Sequence, residues 1–178
     1  EQEGLLGKVT FEGNGRAHLM DGEFCELLNK LNLKMINFGF ESGSDRILSK
    51  LKVGSATVET NKRSIIICNK YGINVYGSLM FGVPGEKIED MEKTVEFIDF
   101  AVKNGAARIW SFVATPFPYT EFWEIAKKKG TVSDNMDTAA LSHHTERPLL
   151  LDDDISTEEF FKVYNKGKRL LRKFNYNL

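Results

Sequence analysis

The chain has 178 residues, 42% of them hydrophobic, which suits one globular domain with a sizeable core. A formal net charge of −1 excludes the global basic field that draws nucleic acid, and the lysine-rich stretches 127–129 and 166–173 fall in helical patterns, as solvated faces. No apolar run approaches a membrane span and no signal-peptide pattern opens the chain, so it reads as cytoplasmic.

Residues 1–7 hold two glycines and read as a frayed lead-in. Lys8–Glu12 is a short strand, and Gly13-Asn14-Gly15-Arg16 is the loop after it. Asp21 precedes Phe24, Leu27, Leu28 and Leu31, spaced as one face of a short helix. Met35–Phe40 is a short apolar run, of the kind a parallel strand buried on both faces requires. It ends in Glu41, Ser42, Gly43 and Ser44, after which Ser44 or Asp45 is placed to cap a brief helix carrying Ile47, Leu48 and Leu51. Thr57 is the N-cap of the next helix, which stops at Gly72. Ile73–Phe81 is a third strand, delivering Gly82-Val83-Pro84-Gly85-Glu86. Ile88, Met91, Val95, Ile98 and Val102 then mark a helix closed by Gly105. Ala107–Ala114 is a fourth strand, and Thr120 opens a helix through Lys129. Thr131–Asp154 lacks periodicity and reads as a long loop, of a length that is usually functional or disordered. Ser156-Thr157-Glu158-Glu159 is a capping box for a last helix with Phe160, Tyr164, Gly167, Leu171 and Phe174 on one face.

Strand and helix thus alternate four times, at roughly 27 to 38 residues per step. Crossovers of this length imply an α/β fold with a parallel sheet, so all four post-strand loops share the carboxyl edge, where such sheets bind ligands. Pattern alone leaves open a partial (β/α) barrel or an open doubly wound sheet, and four units are too few to close a barrel. A strand that ends in polar residues at a helix N-terminus favours acceptor-rich ligands, against the alternative that Glu41 and Ser42 only satisfy a local turn. No Walker A loop or G-x-S-x-G elbow occurs, and Gly13-x-Gly15 lacks a dinucleotide fingerprint's third glycine. Cys25 and Cys68 lie far apart in helical patterns without a second thiol or histidine at metal-ligand spacing, and read as buried free thiols. His143 and His144, with acidic residues nearby, read as solvated loop residues rather than a metal site, so no metal ligand is assigned.

Three segments in order, NFGFESGSDRIL from Asn37 to Leu48, GSLMFGVPGE from Gly77 to Glu86 and ATPFPYT from Ala114 to Thr120, resemble successive signatures of radical S-adenosylmethionine enzymes, in the branch whose members often carry an upstream cobalamin-binding domain. The resemblance covers roughly residues 8–130. It implies a partial (β/α)₆ barrel holding S-adenosylmethionine and a four-iron four-sulfur cluster, with cobalamin as a further cofactor of that branch, and oxidoreductase or methyltransferase chemistry in the intact enzyme. By position, Glu41, Ser42 and Ser44 are implied to meet the cofactor's ribose or methionyl part. Leu79 and Phe81 are implied to pack on adenine, with Gly82 giving close approach and Ser111 and Val113 at the adenine edge. Asn14, Arg16 and Thr115 are implied to face substrate. For Leu79 and Phe81 the alternative is ordinary barrel core, since only one face of a strand points inward. The family's C-x-x-x-C-x-x-C cluster loop and its glycine-glycine-glutamate segment are both missing. The expectation is therefore that residues 1–130 are the back part of a catalytic barrel and 131–178 a loop and helical extension, inactive alone and with no cofactor held stably. The expected partners are the missing N-terminal part of the same protein or, through the exposed strand edge, a second copy. The alternatives are a non-catalytic α/β binding module and a small nucleotide-binding domain.

Overall fold

The computed structural model describes residues 4, 7–52, 54, 56–141 and 147–175. Four parallel strands, β1 (Phe11–Gly15), β2 (Leu33–Glu41), β3 (Asn74–Phe81) and β4 (Arg108–Val113), lie side by side in chain order. Helices α1 (Gly22–Lys30), α2 (Asp45–Leu51), α3 (Val58–Lys70), α4 (Ile88–Lys103), α5 (Glu121–Lys128) and α6 (Thr157–Asn175) intervene and follow. The α/β reading with one shared carboxyl edge is therefore correct, and His143 and His144 lie outside the described residues.

The strands are not buried equally on both faces. Ile36, Phe38 and Phe40 of β2, Val75, Leu79 and Phe81 of β3, and Ile109 and Val113 of β4 point into one core. Phe97 and Ile98 of α4 and Phe160 and Tyr164 of α6 complete it. The alternate residues Asn37, Tyr76, Ser78, Met80 and Phe112 are only half-buried on the opposite face. Gly77 and Gly167 allow the close packing: a Cβ at Gly77 would strike the Phe40 ring, and one at Gly167 would sit 3.2 Å from Ile98.

β1 begins three residues later than its sequence suggests, so Gly13-Asn14-Gly15 is strand rather than loop. Pairing with β2, Gly13 beside Ile36 and Gly15 beside Phe38, outweighs the glycines' weak strand preference. A Cβ on Gly15 would fall 2.7 Å from Ile36 Cδ1. The caps at Asp21, Thr57 and Thr120 and the Ser156–Glu159 box form as expected. The described residues of the expected loop, 131–141 and 147–154, are not bare of packing. Val132, Leu141 and Leu150 join Trp123 and Ala126 of α5 and Ile47 and Val83 in a second apolar cluster beside the carboxyl edge. Cys25 and Cys68 are buried free thiols as expected, but α1 and α3 bring the two thiols beside each other.

Candidate functional site

At the carboxyl edge the two glycine-rich signatures bind each other. Gly43 N–H donates to Thr94 Oγ1 on α4 at 3.0 Å, and the Ser42 and Thr94 hydroxyls are 3.2 Å apart. A Cβ at Gly43 would reach Thr94 Cα at 2.6 Å, so only glycine lets this turn lie flat on α4. Ser44 holds the N-cap position of α2 but its side chain makes no cap bond: its hydroxyl donates to Asp90 Oδ1 at 2.6 Å, and Asp90 also accepts from Arg46 and, at 3.0 Å, from Lys87 N–H. Asp45 does not cap α2 either, but accepts from Val58 N–H at the start of α3, at 2.7 Å. The Arg46 guanidinium also donates to the Gly85 carbonyl at 2.8 Å, joining the β2–α2 turn to the β3–α4 turn. Burial works to raise Asp90, but the donors from Arg46, Ser44 and Lys87 N–H win and hold it at about 2.

Glu86, the last residue of the second signature, folds back into its own turn. Its Oε2 accepts from Gly82 N–H at 2.5 Å, while Oε1 is buried without a partner. Burial, against the backbone donors at Gly82 and Val83, pushes this carboxyl up to about 8. Gly82 and Gly85, both at φ +75°, supply the left-handed conformations that the turn needs.

Glu41 behaves differently from its serine neighbours. It sits at φ +64°, uncommon for a non-glycine residue and costly by about 1 kcal/mol or more, where β2 bulges against β3. Its carboxylate lies over Gly39 and 3.8 Å from the Lys52 ammonium, itself donating to the Gly39 carbonyl. Burial raises its pKa, with Lys52 opposing. Glu41, Met80 and Phe122 form the shared floor of a two-lobed cleft. One lobe, about 360 Å³, is walled by Ser78, Phe112, Thr115 and Phe117. The other, about 650 Å³, is bounded by Lys50, Lys52, Pro84 and Thr120. An apolar, aromatic lobe beside a carboxylate and two ammonium groups suits a flat heterocycle joined to a polyhydroxyl or ionic part.

Of the residues implied as cofactor-facing, Glu41 and Val113 line this cleft, as does Thr115, implied to face substrate. Ser42 and Ser44 are buried, with their hydroxyls turned to α4. Leu79 and Phe81 are core residues on the helix-facing side, because β3 alternates and its odd-numbered residues face α4 and α6. Gly82 lies under Phe160, a Cβ there meeting that ring at 3.1 Å, and the Ser111 carbonyl accepts from Tyr164 Oη at 3.4 Å. Asn14 and Arg16 lie at the β1 end, away from the cleft lining. Sequence reasoning missed Ser78, Met80, Phe112, Phe122 and Lys52. The available signal was the polar Ser78 in Gly77–Phe81, which marks that phase of the strand as the non-core one.

A family model described as the Radical SAM superfamily matches residues 6–98, just over half of the chain. An uncharacterised methyltransferase of Pyrococcus horikoshii is 28% identical over 131 residues, 71% of this chain and 26% of that protein. The bacteriochlorophyllide d C-12(1)-methyltransferase of Chlorobaculum tepidum is 24% identical over 158 residues, 87% of this chain and 34% of its own. Among solved structures, the radical S-adenosylmethionine methyltransferase TsrM from Kitasatospora setae, with tryptophan and a SAM analogue bound, superposes with a TM-score of 0.68 at 18% identity, over 96% of this chain and 38% of that one. The chain thus spans about a quarter to a third of the curated relatives' length.

Proposed function

This chain belongs to the radical S-adenosylmethionine superfamily, and we propose that it forms the adenosyl-binding side of a radical SAM enzyme's partial barrel, of the methyltransferase type. The observation that carries the reading is Glu41, held in a left-handed conformation on the floor of an aromatic cleft at the carboxyl edge. Strain kept at a ligand edge is a mark of function. In this reading the adenine ring enters the lobe between Met80, Phe112 and Phe117, and Ser78 and Glu41 accept or donate to the base and ribose hydroxyls. Lys52 opposes the burial that raises the Glu41 carboxyl, and so favours its ionised form. The names of the relatives support methyl transfer.

The family implies a four-iron four-sulfur cluster, and the residues of this chain do not fit one. Both of its cysteines lie in the core between α1 and α3, and no group of three metal-ligating side chains occurs among the described residues. The cluster ligands, and any cobalamin site, are therefore assigned to a separate part of the enzyme. The outer edge of β1, without a strand partner among the described residues, supports this: Phe11 of β1, Leu19 in the turn after it, Phe24 and Leu27 of α1 and Leu31 just past its end are all exposed. That edge is proposed to pair with the cluster-bearing part or, without it, with a second copy of this chain.

Titration of S-adenosylmethionine into the chain by calorimetry tests the reading. Without cluster chelation, binding weaker than about 100 μM (about −5.5 kcal/mol) is expected. Glu41→Gln weakens it several-fold further at unchanged thermal stability. Binding that Glu41→Gln leaves untouched contradicts the assignment.

A further inference from the structure

A second cavity, of about 260 Å³, opens beside the cleft, between the end of β1 and the start of α3. Arg16, His18 and Lys52 line it with Ala17, Ala56 and Asn61. Three basic side chains converge there, and no carboxylate is among the described lining residues. The Arg16 guanidinium and the His18 imidazole make no hydrogen bond or ion pair with any described residue. Lys52 belongs to both cavities: it faces Glu41 on one side and Arg16 and His18 on the other. Asn61 is fixed from behind, its amide donating to the Phe40 carbonyl at 3.2 Å. Small side chains at 17 and 56 leave the room open.

We infer that this cavity is an oxyanion subsite that takes a phosphate group of the substrate. The inference rests on the adenosyl reading of the neighbouring cleft, because Lys52 sets the two sites side by side. Charge chooses between the two oxyanions within reach. The methionyl end of S-adenosylmethionine pairs its carboxylate with an α-ammonium and lies beside a sulfonium, so a lining that brings together the Arg16 guanidinium and the Lys52 ammonium repels those positive groups as well as attracting the carboxylate. A phosphate monoester carries only negative charge. Its three terminal oxygens match a guanidinium fork, an imidazole N–H and an ammonium. Removing the anion's partners in turn therefore weakens binding stepwise.

The test follows the His18 ring protons by NMR in the full chain during titration with inorganic phosphate at fixed ionic strength. Saturable shifts are expected, with the apparent dissociation constant rising at least tenfold in Arg16→Gln. Calorimetry of His18→Gln shows a comparable loss, and Lys168→Gln, on α6, leaves binding unchanged. Either variant suffices should the other fail to fold. Absence of saturable binding, or binding that both variants retain, overturns the inference. So does a titration in which S-adenosylmethionine, and not phosphate, moves the His18 signals. The adenosyl reading is scored on Glu41→Gln and fails or survives independently of these signals.

Discussion

Glu86→Gln is the sharpest probe of the turn that closes the site. In the unfolded chain this carboxyl releases its proton near pH 4.5, whereas in the folded protein burial keeps it to about 8. Between those values the unfolded state binds fewer protons, so stability falls as pH rises, by about 1.4 kcal/mol per pH unit. Across the window the loss is about 4 to 5 kcal/mol, a large part of the roughly 5–15 kcal/mol that domains possess. Above about 8 both states are ionised and the loss levels off. Glutamine keeps the shape and the acceptor for Gly82 N–H but cannot ionise, and it leaves its own amide protons unpartnered where Oε1 lies. That costs about 1–3 kcal/mol at every pH. The two proteins' stability curves should therefore cross. Urea unfolding at pH 5, 6.5 and 8, with equal m-values, should show Glu86→Gln less stable than wild type at pH 5 and more stable at pH 8. Parallel curves would refute the claim that the site's turn encloses a carboxyl held protonated by burial.

Further outcomes follow from the same geometry. Asp90→Asn unties Arg46 and Ser44 from α4 and should cost about 2 kcal/mol by chemical denaturation; in wild type, the stability from Asp90 is present above its ordinary 3.8 and lost as pH falls towards about 2. Gly43→Ala drives a methyl group into Thr94 and the Lys93 carbonyl, with a loss of about 3 kcal/mol in the same assay, and little change would mean the turn lies off α4. Leu79→Ala should cost about 2–5 kcal/mol of stability, whereas Met80→Ala should spare most stability and weaken adenosyl binding, a split that calorimetry and thermal melts together resolve. Anaerobic reconstitution should load no stoichiometric iron and sulfide on this chain and should load both on a form extended upstream.

The alternation of elements was legible because each strand and helix carries a complete local signal: an apolar run or a three- and four-residue stripe, a capping residue, a closing glycine. The shared carboxyl edge followed from chain length between strands. What the sequence hid was phase. Met35–Phe40 is largely apolar, so it reads as buried on both faces, whereas pairing gives Ile36, Phe38 and Phe40 to the core and leaves Asn37 and Gly39 out of it. The same ambiguity placed adenine on Leu79 and Phe81 rather than on Ser78 and Met80. Ser42 and Ser44 looked ligand-facing because a hydroxyl after a strand serves a ligand or a helix equally well, and their partners Thr94 and Asp90 lie about fifty residues away. The Cys25–Cys68 contact and the packing of Leu141 and Leu150 with Trp123 and Ala126 of α5 are likewise distant in sequence, with no local trace.

The most direct measurement of the central claim uses the methionine methyl groups as reporters. Met20 and Met91 are buried in the main core, and Met80 lies on the cleft floor. In a ¹³C-methyl-methionine sample titrated with S-adenosylmethionine, the Met80 signal should shift by ring current from the adenine while those of Met20 and Met91 stay in place. Shifts at Met20 or Met91 with Met80 unmoved would contradict an adenosyl group resting on the non-core face of β3.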